Sequence, residues 1–391
     1  MTAPIPRPWL VLAGLTLGVC VTNGFARFAY GLILPAMRDD LGWTYAQAGW
    51  LNTANALGYL AGALATMVLI RRVSPSWLFA FGLVTTTLSL IVTGFNTALW
   101  WQTTWRLAAG VFGAMSFSTA GALTAQLFTD APRKNALAIA LLFGSGGGLG
   151  VALAGASIPP MLGIYGITAW PLAWVLIGGA SALFVPLGLW SAYSLQAPLQ
   201  RGTAPARLPI RRMLGEFAGY AGFGLGYIVY LTFLSAWMAE QAASVTQVAL
   251  VWVLLGSCIT LSPFLWRGVF ARFANGVPMA LVLTGIAIGS ALPVLWPGTL
   301  GLLISAVVFG LCVFMAPGAV TNFTRQNLPA AAWGRSIGLF TVVFALAQTL
   351  GPIAAGLIGD LTGSIGISLL LASAILLLGA VCALFQRPLN A

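Results

Sequence analysis

VFGAMSFSTAGALT (Val111 to Thr124) and VFGLCVFMAPGAVT (Val308 to Thr321) lie 197 residues apart and agree at seven of fourteen positions. LGVALAG (Leu149 to Gly155) and LGPIAAG (Leu350 to Gly356) lie 201 apart, and Gln47 and Arg72 fall on Gln247 and Arg272 at 200. Apolar helices resemble one another by chance, but chance does not hold near-constant offsets, close to half of 391 residues, across separate segments. The chain therefore reads as an internal duplication.

The solvent of each half follows from composition. Hydrophobic residues make up 60% of the chain and charged ones 6%, against about 25% charged in an ordinary soluble domain. One core could not hide that much apolar surface, so the fold class is an all-α polytopic membrane protein. Twelve apolar runs are long enough to cross the hydrocarbon layer. The first six run from about Trp9 to Pro35, Tyr45 to Ile70, Trp77 to Phe95, Trp100 to Phe128, Asn135 to Ile158 and Trp170 to Trp190. The second six run from about Met213 to Met238, Thr246 to Trp266, Val277 to Trp296, Thr299 to Phe323, Ile337 to Ile358 and Ile365 to Phe385. Tryptophans at many of these ends fit an interfacial belt. The first run continues past twenty residues with no small-residue cleavage site, which reads as a retained span rather than a signal peptide.

Placing the N-terminus in the cytoplasm puts 14 of the 17 basic residues on that side, Arg201 and Arg207 among them, leaving Arg38 in an outer loop and Arg27 and Arg106 inside spans. The positive-inside bias thus expects both termini in the cytoplasm of a bacterial cytoplasmic (inner) membrane. Residues Ser194 to Arg212 carry three prolines, a glycine and four arginines, the chemistry of a linker. The expected organisation is a six-helix half over 1–193, a cytoplasmic linker over 194–212 and a second half over 213–391.

Several function classes drop out. The net charge of +11 sits in short clusters between spans, which argues against a nucleic-acid partner. There is no histidine, and the four cysteines lie in apolar runs without metal-ligand spacing. No nucleotide loop or catalytic triad is present, so no enzyme activity, cofactor or metal is expected.

Twelve spans, a basic central linker and two parallel six-helix halves resemble the major facilitator superfamily over the whole chain. WRLAAGVFG (Trp105 to Gly113) is similar to its span-four RxxxGxxG element, and GGGLGVALAG (Gly146 to Gly155) to the glycine-rich span-five element of its antiporters. The stretch from Gly24 to Leu64, opening GFARFAYG, is similar to the YbfB/YjiJ subgroup. Two positions depart from the pattern: Thr66 stands where the superfamily carries a gating aspartate, and Val151 where the span-five element has proline. The resemblance implies alternating access, with spans three, six, nine and twelve facing lipid and the others lining a central cavity.

Arg27 and Arg106 lie within spans, where an ionised side chain costs at least a few kcal/mol unless hydrated or paired. Under the repeat they fall on Leu225 and Leu303, so neither belongs to the duplicated scaffold. At helical spacing Asn23, Arg27 and Tyr30 share a face of span one, as do Asn52, Asn55 and Tyr59 in span two. Tyr220, Tyr227 and Tyr230 of span seven and Gln348 of span eleven add neutral hydrogen-bonding groups. These ten are the candidate substrate-binding residues, with Arg27 offering a fixed cation to a carboxylate, phosphonate or phosphate. In the competing reading Arg27 bonds carbonyls near Gly24 and Gly31, or reaches Asp39 and Asp40 by snorkelling. Arg106, with Gly110 and Gly113 on its face, suits packing on span one and a gating role; Gly150 and Gly155 suit a close-packed sliding surface. The span-two asparagines and the tyrosines also read as scaffold.

All six acids fall in loops or at span ends, so coupling through a mid-membrane carboxylate is not expected. The routes left are a proton carried by a weak-acid substrate, titration of Asp39, Asp40 or Glu240 at the outer rim, and anion exchange. The expected function is a secondary active transporter, acting as a monomer, for a small organic solute that is an organic anion. An efflux carrier for amphipathic, drug-like compounds is the alternative, and a non-transporting membrane sensor a distant third.

Overall fold

The computed structural model describes residues 7–195 and 208–389, and every regular element among them is helical. Twelve long helices follow one another: α1 Pro8–Leu41, α2 Tyr45–Leu69, α3 Pro75–Thr93, α4 Leu99–Thr124, α5 Pro132–Tyr165 and α6 Trp170–Tyr193, then α7 Leu214–Glu240, α8 Val245–Arg272, α9 Val277–Leu295, α10 Thr299–Asn327, α11 Ala330–Thr362 and α12 Gly366–Leu384. Eleven are long and apolar enough to cross a membrane; α2, at 25 residues, is long enough but more polar, because it carries Gln47, Asn52, Thr53 and Asn55. Most of the expected linker, with Arg201 and Arg207, lies outside the described residues.

Local chemistry sets the ends. In α3 the Ser74 side chain accepts from the Trp77 N–H and Pro75 fills the first turn. Ser244 and Gln247 form a reciprocal capping box at the start of α8, and Thr44 and Gln47 make the same pair of bonds at the start of α2. The matched glutamines of the repeat are thus matched caps. Within α3, Thr85, Thr86, Thr87, Ser89 and Thr93 each turn their hydroxyl back to a carbonyl one turn earlier, so no hydroxyl faces lipid unbonded.

Several helix boundaries differ from the sequence expectation. Helix α1 continues through Pro35 to Leu41, so Arg38, Asp39 and Asp40 stand in its last turn; Gly42, at φ 63°, supplies the left-handed residue that ends it. Helix α10 is interrupted after Val313 and resumes at Ala316. Pro317 explains the break, since its ring collides with the carbonyl four residues earlier, that of Val313. Helices α5 and α11 are longer than their apolar runs.

The described residues divide into two compact units, one of 7–42 and 54–195, the other of 43–53 and 208–389. In the first, α3 packs on α4 and α6, and α1 on α5 and α6. In the second, α9 packs on α10 and α12, and α7 on α11 and α12, so corresponding helices make corresponding contacts. The helices approach closely where glycines meet. A Cβ on Gly150 of α5 would lie 2.6 Å from the Gly24 Cα and 2.7 Å from the Cys20 carbonyl of α1. At the equivalent place a Cβ on Gly351 would lie 2.6 Å from the Leu225 carbonyl.

Backbone atoms cannot yield as a side chain can, so Gly150→Ala is expected to cost about 1–3 kcal/mol and to lower the melting temperature of the purified protein. Gly179→Ala, where nothing lies within 4 Å, is expected to leave it unchanged. Equal melting temperatures for the two variants would show that α1 and α5 are not held at this distance.

Candidate functional site

The site begins with a departure from regular helix. From Cys20 to Phe28, α1 is wound as a π-helix, with the Ala29 N–H donating to the Gly24 carbonyl five residues back at 3.0 Å. Such wide turns in an α-helix occur disproportionately at functional sites. Here the segment is buried along its whole length and includes Asn23, Gly24 and Arg27.

Arg27 is 5% exposed, with its guanidinium carbon 4.6 Å from the centre of the Tyr59 ring and 5.6 Å from that of Phe28. Asn23 is buried, and its Oδ1 accepts no hydrogen bond among the described residues. Just past the π-helical segment, the Tyr30 ring stacks on Trp174 of α6, centroids 6.3 Å apart.

Arg106 of α4 is fully buried and binds to the same segment. Its Nη1 donates to the Ala26 carbonyl, and its guanidinium carbon lies 4.8 Å over Tyr30 and 5.4 Å over Trp174. A planar cation that both donates to a carbonyl and stacks on aromatic faces suits a dry site, where the charge must be met on every side. Asn55 of α2 donates to the Arg106 carbonyl at 2.9 Å. A Cβ on Gly110 would lie 2.1 Å from the Asn55 carbonyl, and one on Gly113 3.3 Å from the Thr22 carbonyl. Gly110 thus admits α2 and Gly113 admits α1, while Gly155 is buried further along α5.

The second unit holds neutral groups. Tyr220, Phe223 and Tyr227 of α7 stack with Phe344 of α11 at centroid distances of 5.3–5.7 Å. The Tyr227 hydroxyl donates to Gln348 at 3.1 Å. Tyr230 points elsewhere: it stacks on Phe309 at 3.9 Å, and its hydroxyl meets Ser305 at 2.7 Å. Asn52 donates to the Thr232 hydroxyl of α7 at 2.5 Å. Both span-two asparagines therefore tie helices together.

Asp39 pairs with Arg38 at 2.7 Å, and Asp40 accepts from the Trp170 indole N–H at 2.8 Å. Glu240 accepts from the Tyr45 hydroxyl, from the Ser364 hydroxyl at 2.8 Å and from the Ile365 N–H at 3.0 Å. Sequence reasoning assigned no role to Asp360, which accepts from the N–H groups of Tyr45 and Ala46 at 2.7 and 2.9 Å and so completes the start of α2. It also passed over Glu216, a carboxylate 1% exposed near the start of α7, whose Oε2 accepts no hydrogen bond among the described residues. Their signal was scarcity, since each is one of six acids in the chain. Trp174, hidden in an apolar run, carried none. Among the described residues no group of histidine, cysteine or carboxylate side chains could hold a metal.

A family model described as "Uncharacterised MFS-type transporter YbfB" matches residues 19–384. The chain belongs to this family of major facilitator transporters. Membership makes it an integral membrane transporter and not an enzyme. Among solved structures, a bacterial homologue of the human lysosomal transporter Spinster, inward-facing and unoccupied, is 16% identical with a TM-score of 0.71 and 99% of each chain covered. The same homologue in an occupied conformation is 15% identical with a TM-score of 0.72, covering 99% of this chain and 97% of its own. The nucleoside transporter NupG is 13% identical with a TM-score of 0.67, covering 97% of this chain and 98% of its own. At these identities the likeness is one of fold. No curated protein matches the chain.

If Arg106 clamps the π-helical turn of this family member, Arg106→Ala should cost about 1–3 kcal/mol, as expected when a buried carbonyl loses a charged donor. It should also speed amide hydrogen exchange over residues 20–30. Exchange there at the wild-type rate would contradict the clamp.

Proposed function

We propose that this chain is a secondary active transporter whose substrate is a small organic anion, bound through a carboxylate, phosphonate or phosphate at Arg27. One observation supports this above the others: a guanidinium buried on a π-helical turn against the Tyr59 ring, beside a buried Asn23 oxygen that lacks a donor. The pair suits a ligand that brings a negative group to Arg27 and a hydroxyl or amino donor to Asn23. Asn52, Asn55 and Tyr230 serve the scaffold in this reading, whereas Tyr59, Tyr220, Tyr227 and Gln348 remain candidate binding groups.

The protein lies in the cytoplasmic membrane of a bacterium with both termini inside and works as a monomer. Its halves, 1–193 and 213–391, joined through 194–212, alternate access. Gly110, Gly113, Gly150 and Gly155 keep the moving helices close. Coupling follows a proton carried by the weak-acid substrate or exchange of one anion for another, because Asp40 and Glu240 already hold hydrogen-bond donors and Asp39 an arginine. The aromatic cluster of Tyr220, Phe223, Tyr227 and Phe344 favours the second reading, efflux of amphipathic compounds, which would not depend on Arg27.

With a panel of radiolabelled small organic acids presented to proteoliposomes, Arg27→Gln is expected to abolish uptake of any acid the wild type carries, while folding and insertion persist. Arg27→Lys should restore little, because it loses the planar fork. Arg38→Gln should transport normally. Transport and affinity within about threefold of wild type in Arg27→Gln, less than about 1 kcal/mol, would refute the assignment.

A further inference from the structure

Helix α7 begins and α12 ends at the same end of the second unit, and one buried amide joins them. The side-chain N–H groups of Gln386 donate to the carbonyls of Arg212 and Arg387, each at 2.8 Å, and its Oε1 accepts from the Glu216 N–H at 3.2 Å. The Gln386 carbonyl in turn accepts from the Gly276 N–H at 3.1 Å, just before α9, and the Leu389 N–H donates to Asn327 at 2.7 Å. The segment after α12 is therefore held firmly against the starts of α7 and α9.

That attachment brings Arg211, Arg212 and Arg387 to the wall of one cavity of about 420 Å³. Two apolar side chains share the wall, Leu214 at 58% exposure in the first turn of α7 and Phe385 at 79% just after α12. Among the described residues no acid lines it; Glu216, the acid nearest in sequence, is buried and is not on the wall. The general excess of basic residues in the loops accounts for arginines at this end of the spans. It does not account for three of them around one cavity, nor for two large apolar groups exposed on its rim. At the end of a span these groups stand where acyl chains meet headgroups, and an arginine fork matches a phosphate.

We propose that this cavity binds the phosphate of an anionic phospholipid, with the headgroup among Arg211, Arg212 and Arg387 and the acyl chains leaving past Leu214 and Phe385. The site lies wholly in the second unit and is independent of the Arg27 substrate reading. A free phosphate ion would satisfy the same arginines but would make no use of the exposed apolar rim.

The full-length protein in neutral detergent can be titrated with dioleoylphosphatidylglycerol, with dioleoylphosphatidylcholine and with inorganic phosphate, and bound lipid counted by native mass spectrometry. Phosphatidylglycerol should bind at one saturable site, more tightly than phosphatidylcholine, and inorganic phosphate should not displace it. At about one decade per 1.4 kcal/mol, three interfacial arginines make the loss in Arg211→Gln/Arg212→Gln/Arg387→Gln of order 100-fold. Arg267→Gln should bind like wild type. Raising the salt should weaken lipid binding to the unaltered protein, a readout that needs no variant to fold. Equal affinity for the two lipids, indifference to salt, or full binding by the folded triple variant would overturn the proposal. Displacement by inorganic phosphate would make the cavity a free-anion site and overturn the lipid assignment.

Discussion

A guanidinium inside a lipid-bounded fold must have hydrogen-bond acceptors, counter-charge or aromatic faces around it, because leaving it bare costs more than most folds can offset. The first unit is arranged around two such groups on one stretch of helix. Arg106 is held by the Ala26 carbonyl, Tyr30 and Trp174, so α4 and α6 are both fixed to the π-helical turn of α1. The same turn carries Arg27. Arg106 thus holds the backbone turn from which Arg27 projects. The close approach of Gly24 and Gly150 sets that backbone against α5.

The two units show what duplication kept and what it did not. Close approaches at Gly150 and Gly351 and the pairing of helices recur in both, and the caps at Thr44 and Ser244 recur at matching places in the sequence. The arginines do not, since their counterparts are Leu225 and Leu303. In place of a buried cation the second unit has stacked rings and a Tyr227–Gln348 hydrogen bond.

The spans were legible because lipid requires long apolar helices and because proline, serine and glycine mark their ends. What escaped were features set by backbone geometry. The π-helical turn, whose hydrogen-bond register is invisible in residue type, was not legible, nor was the stacking of Tyr30 on Trp174. The break in α10 was in principle readable, since Pro317 forbids a bond to Val313. Sequence spacing set both Gly110 and Gly113 against α1; Gly113 lies there, and Gly110 meets α2 instead. The partners of the asparagines were not legible, because Thr232 and the Arg106 carbonyl are distant in sequence and ordinary in type.

The central claim is that an unduplicated cation on a π-helical turn receives the substrate. A structure of the protein with a transported organic acid bound tests it most directly. The account predicts the anionic group within hydrogen-bonding distance of the Arg27 guanidinium, with a donor of the ligand on the Asn23 oxygen and Arg106 still on the Ala26 carbonyl. A ligand seated on the α7 and α11 rings with its anionic group remote from Arg27 would contradict it.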